Sequence, residues 1–111
     1  MPAYCIFAIT ITDPTSYASY AKHTPRIISQ YGGRMLVRGG DPDAVEGHMP
    51  GQRIVVIEFA DRAAAKKFMI SPEYQKIIGI RHAASTGAGV IVDGFPAEAW
   101  TAAVTESNKH G

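Results

Sequence analysis

Two strand-like runs, Arg34-Met35-Leu36-Val37-Arg38 and Arg53-Ile54-Val55-Val56-Ile57-Glu58-Phe59, flank a polar, glycine-punctuated connection from Gly39 to Gly51. Apolar residues bounded by glycine, proline and aspartate in this way mark paired antiparallel strands. A hairpin here constrains the whole chain, because pairing register decides which side chains share a face. For Met35 and Val37 to share a face with Val55 and Ile57, Arg34 sits opposite Glu58, Leu36 opposite Val56 and Arg38 opposite Ile54. Arg34, Arg38 and Glu58 then lie together on the second face. The connection, with Asp41, Glu46 and His48, exceeds the roughly 2–5 residues of an ordinary hairpin loop, which points to a functional flap or a partner contact.

The segments on either side complete a β-α-β-β-α-β order. Tyr4 to Ile11 is apolar or β-branched at nearly every position, as in a central strand covered on both faces. Asp13-Pro14 reads as an N-cap followed by proline at the first helical position. In the helix that follows, Tyr17, Tyr20, Ala21, Ile27, Ile28 and Tyr31 form one apolar face, and Gly32-Gly33 stops it. Pro25 lacks an N–H and crowds the Ala21 carbonyl, so a kink or a restart near Thr24 is expected. Asp61 caps a helix over Ala63 to Ile70, Ser71-Pro72-Glu73 restarts a short one as far as Arg81, and the last strand is expected over Gly89 to Asp93. Residues 1–95 read as one domain; 96–111 read as a tail, partly helical or disordered, with a docking turn around Trp100.

A chain of 111 residues fits one domain with a modest core. Eleven basic and ten acidic side chains leave no clustered basic stripe for a nucleic acid. No run approaches the roughly 20 apolar residues of a membrane span, and the amino end lacks the zones of a secretory signal; the expectation is a cytoplasmic protein. The single cysteine, Cys5, cannot form an internal disulfide, and its apolar strand suggests a buried small side chain rather than a nucleophile. Two helices cover only one face of a four-stranded sheet, yet the first and third strands offer apolar residues to both faces. A second copy is the simplest cover, which predicts a homodimer through the sheet faces.

Met1-Pro2-Ala3-Tyr4, Asp13-Pro14 with Tyr17 and Tyr20, Gly32-Gly33-Arg34, Arg38-Gly39-Gly40, Glu46-Gly47, the Arg53 to Phe59 run, Ser71-Pro72-Glu73-Tyr74 and Arg81 together resemble the family called domain of unknown function 1330, over roughly positions 2 to 94. The resemblance implies an α+β, ferredoxin-like βαββαβ fold with a four-stranded antiparallel sheet, within the dimeric α+β barrel superfamily. There paired sheets form a barrel, and a pocket commonly lies between sheet and helices. It supplies no reaction, since muconolactone isomerases, cofactor-independent monooxygenases, polyketide cyclases and haem enzymes share that superfamily. Where family members often carry an aromatic residue after the Glu-Gly pair, this chain has His48-Met49, and its tail after Gly94 has no family counterpart.

Arg38, Glu46 and Arg53 meet in sequence at the hairpin's open end. Two guanidinium forks there could grip a carboxylate or enolate, oriented by Glu46; equally, the arginines could pair with Glu46 and Asp41 to fasten the loop or a dimer. Tyr17, Tyr20 and Tyr74 could line an aromatic pocket and donate to a carbonyl, or simply be core. His23, His48 and His82 titrate near neutrality, with His23, His48 and Tyr20 the candidates for proton transfer; a solvated surface position serves each histidine as well. No His-x-His, His-x-x-x-His or Cys-x-x-Cys spacing supports a metal site, and no glycine pair opens a phosphate loop. Pro2, exposed by removal of Met1, is the base of a less favoured tautomerase reading.

The expected function is therefore binding of a small apolar or aromatic compound with a carbonyl or carboxylate. Any catalysis is expected to be cofactor-independent isomerisation or cyclisation. The competing expectation is a non-catalytic protein-interaction module built on the long loop and tail.

Overall fold

A computed structural model describes residues 1–111 and runs β1 (Ala3–Ile11), α1 (Pro14–Gln30), β2 (Arg34–Gly39), β3 (Arg53–Phe59), α2 (Arg62–Met69), α3 (Pro72–Ala84), β4 (Ser85–Asp93) and α4 (Ala97–Asn108). The strands form a four-stranded sheet in the order β2-β3-β1-β4, and every neighbouring pair is antiparallel. This is the βαββαβ arrangement, with the second helix broken in two and a fourth helix appended.

Strand alternation sorts the side chains. Cys5, Phe7 and Ile9 of β1, with Val55, Ile57 and Phe59 of β3, are buried in one cluster with Tyr17, Tyr20, Ile27 and Ile28 of α1, Phe68 of α2 and Tyr74 of α3. Five rings run through it: Tyr17 and Tyr20 at 5.6 Å between centroids, Tyr20 and Tyr74 at 6.2 Å, Tyr74 and Phe68 at 4.5 Å, and Phe68 and Phe59 at 5.3 Å. Cys5 is fully buried there, and burial pushes its thiol up to about 11. On the other face Tyr4 pairs with Val92, Ile6 with Val90 and Val56, and Ala8 with Ile54. No helix covers that apolar surface, and Val90 remains 55% exposed.

The hairpin departs from the expected register. Arg34 does face Glu58 and Met35 faces Ile57, but the pairing then slips by one, so that Val37 faces Val56, Arg38 faces Val55 and Gly39 faces Ile54. Leu36 is the extra residue of a β-bulge, and every side chain beyond it changes faces. Val37 therefore joins the open apolar face, and Arg38 turns to the helix side instead of lying with Arg34 and Glu58. The bulge keeps a guanidinium off the apolar surface.

Helix α1 does not restart near Thr24 but runs unbroken through Pro25. Its start is held by Asp13, whose carboxylate accepts from the Ser16 amide at 3.2 Å and the Ser16 hydroxyl at 2.8 Å. Pro25 has no N–H for the Ala21 carbonyl, and two side chains replace it: Thr24 Oγ1 and Arg38 Nη2 both donate to that oxygen at 3.3 Å. The break between α2 and α3 falls where Ser71 was expected to restart the helix; its hydroxyl accepts from the Tyr74 amide at 3.2 Å and donates to the Phe68 carbonyl at 2.7 Å.

Two element ends differ from the sequence expectation. Helix α3 continues past Arg81 to Ala84, and β4 starts at Ser85 rather than Gly89. Ser85 to Ala88 lack an apolar pattern, but Ile11 to Ala8 of β1 supply a ladder for them. The tail is helical from Ala97 to Asn108, longer than the single docking turn expected around Trp100. No helix is long and apolar enough to cross a membrane.

Candidate anion-binding cleft

Between α1, α3 and the helix-side face of the sheet lies a cleft lined by Phe7, Ile9, Tyr17, Tyr20 and Val55, among other apolar groups, by Thr24, and by three arginines, Arg38, Arg53 and Arg81. Each arginine arrives by a different local device. The bulge at Leu36 delivers Arg38, which the carbonyl released by Pro25 then holds. Arg53 opens β3 on the same face as Val55 and lies across Gly39, with its guanidinium carbon 5.4 Å from the centre of the Tyr17 ring. Gly39 has φ +83°, and a Cβ there would come within 2.8 Å of Arg53 Nη1, so glycine serves both the backbone and the arginine. Arg81 comes from the last turns of α3 and stacks on Phe7, 5.2 Å from the ring centre.

The electrostatics of this cleft are one-sided. No aspartate, glutamate or histidine lines it. The chain's ion pairs are Arg34 with Glu58, Arg62 with Asp93, and Glu106 with Lys109 and His110; none involves the three cleft arginines. The Nε atoms of Arg53 and Arg81 are buried and have no hydrogen-bond acceptor. A buried donor without a partner costs about 1–3 kcal/mol, more where it is charged. An entering carboxylate or enolate oxygen would satisfy such donors, with the bidentate geometry guanidinium groups favour.

Tyr20 brings the polar counterpart. Its hydroxyl is 2.7 Å from that of Tyr74, and burial, with Tyr74 beside it, raises its pKa well above the ordinary phenol range. Near neutral pH Tyr20 therefore keeps its proton, as a hydrogen-bonding hydroxyl and not a base. The space that the centre of a water molecule can reach is only about 30 Å³, room for one or two waters. A larger neighbouring cleft of about 570 Å³ shares Phe7 and Arg81 and is further lined by Met69, Ile78, His82 and Ile91. The stacked Phe7 and Arg81 side chains form the wall between them.

The residues singled out from sequence divide accordingly. Arg38, Arg53, Tyr17 and Tyr20 come together in the cleft, and Tyr74 stands behind Tyr20 in the core, 1% exposed. Glu46 and His48 lie with Asp43, Val45 and Met49 in a separate depression of the exposed loop, and neither lines the arginine cleft. His23 is half-buried on α1 outside it, and His82 belongs to the neighbouring cleft. Pro2 immediately precedes β1, and its carbonyl accepts from the Gly94 amide at 2.7 Å. Arg81 is the residue sequence reasoning passed over as a helix end. The available signal was its spacing, since Tyr74, Ile78 and Arg81 recur at steps of four and three on one side of α3.

Residues 2–95 match the family described as a domain of unknown function, DUF1330. The chain belongs to that family. Among solved structures, this DUF1330 chain is similar to a protein of unknown function from Rhodopseudomonas palustris, at 16% identity, TM-score 0.71, 86% of this chain and 83% of that one. It is similar to SnoaB, a cofactor-independent oxygenase from Streptomyces nogalater, at 13% identity, TM-score 0.60, 84% of this chain and 92% of that one. A dimeric ferredoxin-like protein of unknown function from Jannaschia sp. CCS1 aligns at 15% identity, TM-score 0.61, 85% of this chain and all of that one. At such identities the likeness establishes the ferredoxin-like α+β fold. No curated protein matches the chain.

Proposed function

We propose that this chain binds a small apolar or aromatic compound bearing a carboxylate or an enolisable carbonyl. Arg38, Arg53 and Arg81 face the negative charge with Tyr17 and Tyr20 beside it, and Phe7, Met69 and Ile78 face the body. The observation that carries this reading is the pair of buried, unpartnered Nε donors in a cleft that contains three arginines and no acid. The tightness of the inner space directs the charged end inward and the body toward the neighbouring cleft, past the Phe7 and Arg81 wall. Catalysis in such a site is cofactor-independent proton transfer, isomerisation or cyclisation in kind. The guanidinium groups stabilise enolate charge in a poorly hydrated setting, and Tyr20 donates to the carbonyl oxygen. Similarity in fold to a cofactor-independent oxygenase is in keeping with chemistry carried by side chains alone. The working form is a homodimer through the open sheet faces, which covers Ile6, Val56, Val90 and their neighbours.

A thermal-shift screen of small carboxylates, lactones and phenols tests the reading, repeated on Arg38→Ala, because a ligand stabilises only the state that binds it. A carboxylate hit lost in Arg38→Ala supports the cleft. A hit indifferent to that substitution removes Arg38 from the site.

A further inference from the structure

Helix α4 is ordered as a helix and yet has no buried residue. Trp100 is 64% exposed, Phe95 68% and Val104 39%. Trp100 and Val104 are one turn apart and share a side of the helix, with Ala97 on the same stripe. A 12-residue helix is marginal in water by itself, so it draws its stability from a surface it packs on. Its own domain does not offer that surface. The exit from β4 is held by the Gly94 amide, which donates to the Pro2 carbonyl at 2.7 Å. Gly94 is also pressed against Tyr4 and Pro2, where a Cβ would come within 2.8 Å of the Tyr4 ring. Pro96 stiffens the next step, and α4 makes no substantial contact with any other element of the fold.

The stripe is continuous along the chain with the open sheet face, since Val90 and Val92 on that face lead through Gly94 directly into Phe95 and α4. We infer that α4 is an arm that packs against the second copy of this chain when two copies meet through their open sheet faces. This rests on the dimer reading above and adds a contact that reading does not contain. A stable interface covers about 800 Å² per partner. Each large aromatic buries about 150–250 Å² when covered, so Phe95 and Trp100 are a substantial part of such a contact. The arm also accounts for a helix that ends in a local Glu106, Lys109 and His110 charge cluster, which stays in water as a rim should.

Trp100 is the only tryptophan of the chain, so fluorescence reads α4 alone. The intact protein is diluted through its dimerisation range, and mass by light scattering, Trp100 emission and acrylamide quenching are followed together, in wild type and in Val104→Glu. The inference expects a blue-shifted, several-fold less quenchable Trp100 in the dimer. It expects red-shifted, freely quenched emission in the monomer, and a Val104→Glu dimer that dissociates at higher concentration. A dimer whose Trp100 stays freely quenched overturns the arm and leaves the sheet interface standing. A monomer at all concentrations overturns both, and a monomer with a shielded Trp100 overturns the arm by showing that α4 folds back on its own chain. Carboxylate binding in the cleft is read separately by thermal shift, so none of these outcomes is confounded with failure of the binding site.

Discussion

Replacing Arg53 by methionine should make the empty protein more stable while abolishing its response to a carboxylate. The guanidinium Nε is buried without an acceptor, a deficit of about 1–3 kcal/mol that the substitution removes. Methionine keeps an unbranched stem against the apolar lining and fills irregular space well. What is lost is the stacking on Tyr17, 5.4 Å from the ring centre, worth about 0.5–1 kcal/mol at a partly exposed site. The balance is a gain of about 1 kcal/mol, and for a domain of this size each 1 kcal/mol moves Tm by about 4–8 °C. The assay is thermal unfolding of both proteins at one protein concentration, since dimerisation makes Tm concentration-dependent. The pair is measured without ligand and then with the best carboxylate from the screen. An Arg53→Met protein that melts several degrees lower than wild type would refute the reasoning, because it would make the guanidinium a structural group with partners in the folded state.

Three further outcomes follow from the same geometry. Pro25→Ala should raise stability by about 1–3 kcal/mol, as expected for removing an interior helix proline, while weakening carboxylate binding, because the new amide competes with Arg38 for the Ala21 carbonyl; unfolding and binding titrations on one sample check both. The Asp13 carboxyl is held below its ordinary value of 3.8, first by the Ser16 hydroxyl and then by the Ser16 amide; its stabilisation is present above 3.8 and fades as pH falls through the lower folded value, so Asp13→Asn, which caps without titrating, should flatten the acid limb of stability against pH. Cys5, with its thiol pushed up to about 11 by burial, should resist a disulfide reagent at pH about 8, well below that value, and react only at the rate of unfolding.

Sheet, helices and the break at Ser71 were legible because each rests on a local rule: apolar, β-branched runs in β1 and β3, aspartate and serine caps, glycine after α1. Of the candidate cleft's lining, Tyr17, Tyr20 and Arg53 were legible, Arg53 through its strand parity with Val55. Arg38 was named as a site residue but assigned to the wrong face, because a bulge is a tertiary compromise. Leu36 is extruded so that Val37 can meet the apolar sheet and Arg38 can reach a carbonyl on α1, and nothing in the hairpin's own residues encodes that carbonyl. Pro25 was read for the hydrogen bond it breaks, and its consequence appears only when Arg38 is brought across from β2. Glu46 was drawn to the arginines by closeness in sequence, but a loop with several glycines and prolines carries it elsewhere. The length of α4 was less legible, because none of its residues is buried and no wide apolar face marks its extent.

The most direct measurement of the central claim is the arginine Nε–H region of a ¹⁵N-correlated NMR spectrum, recorded while the best carboxylate is titrated in. The account predicts that the Nε–H signals of Arg53 and Arg81, assigned by substitution, shift together and become slow to exchange as the site fills, while those of Arg34 and Arg62, already paired with Glu58 and Asp93, stay in place. Shifts confined to Arg34 and Arg62, or none at saturating ligand, would contradict it.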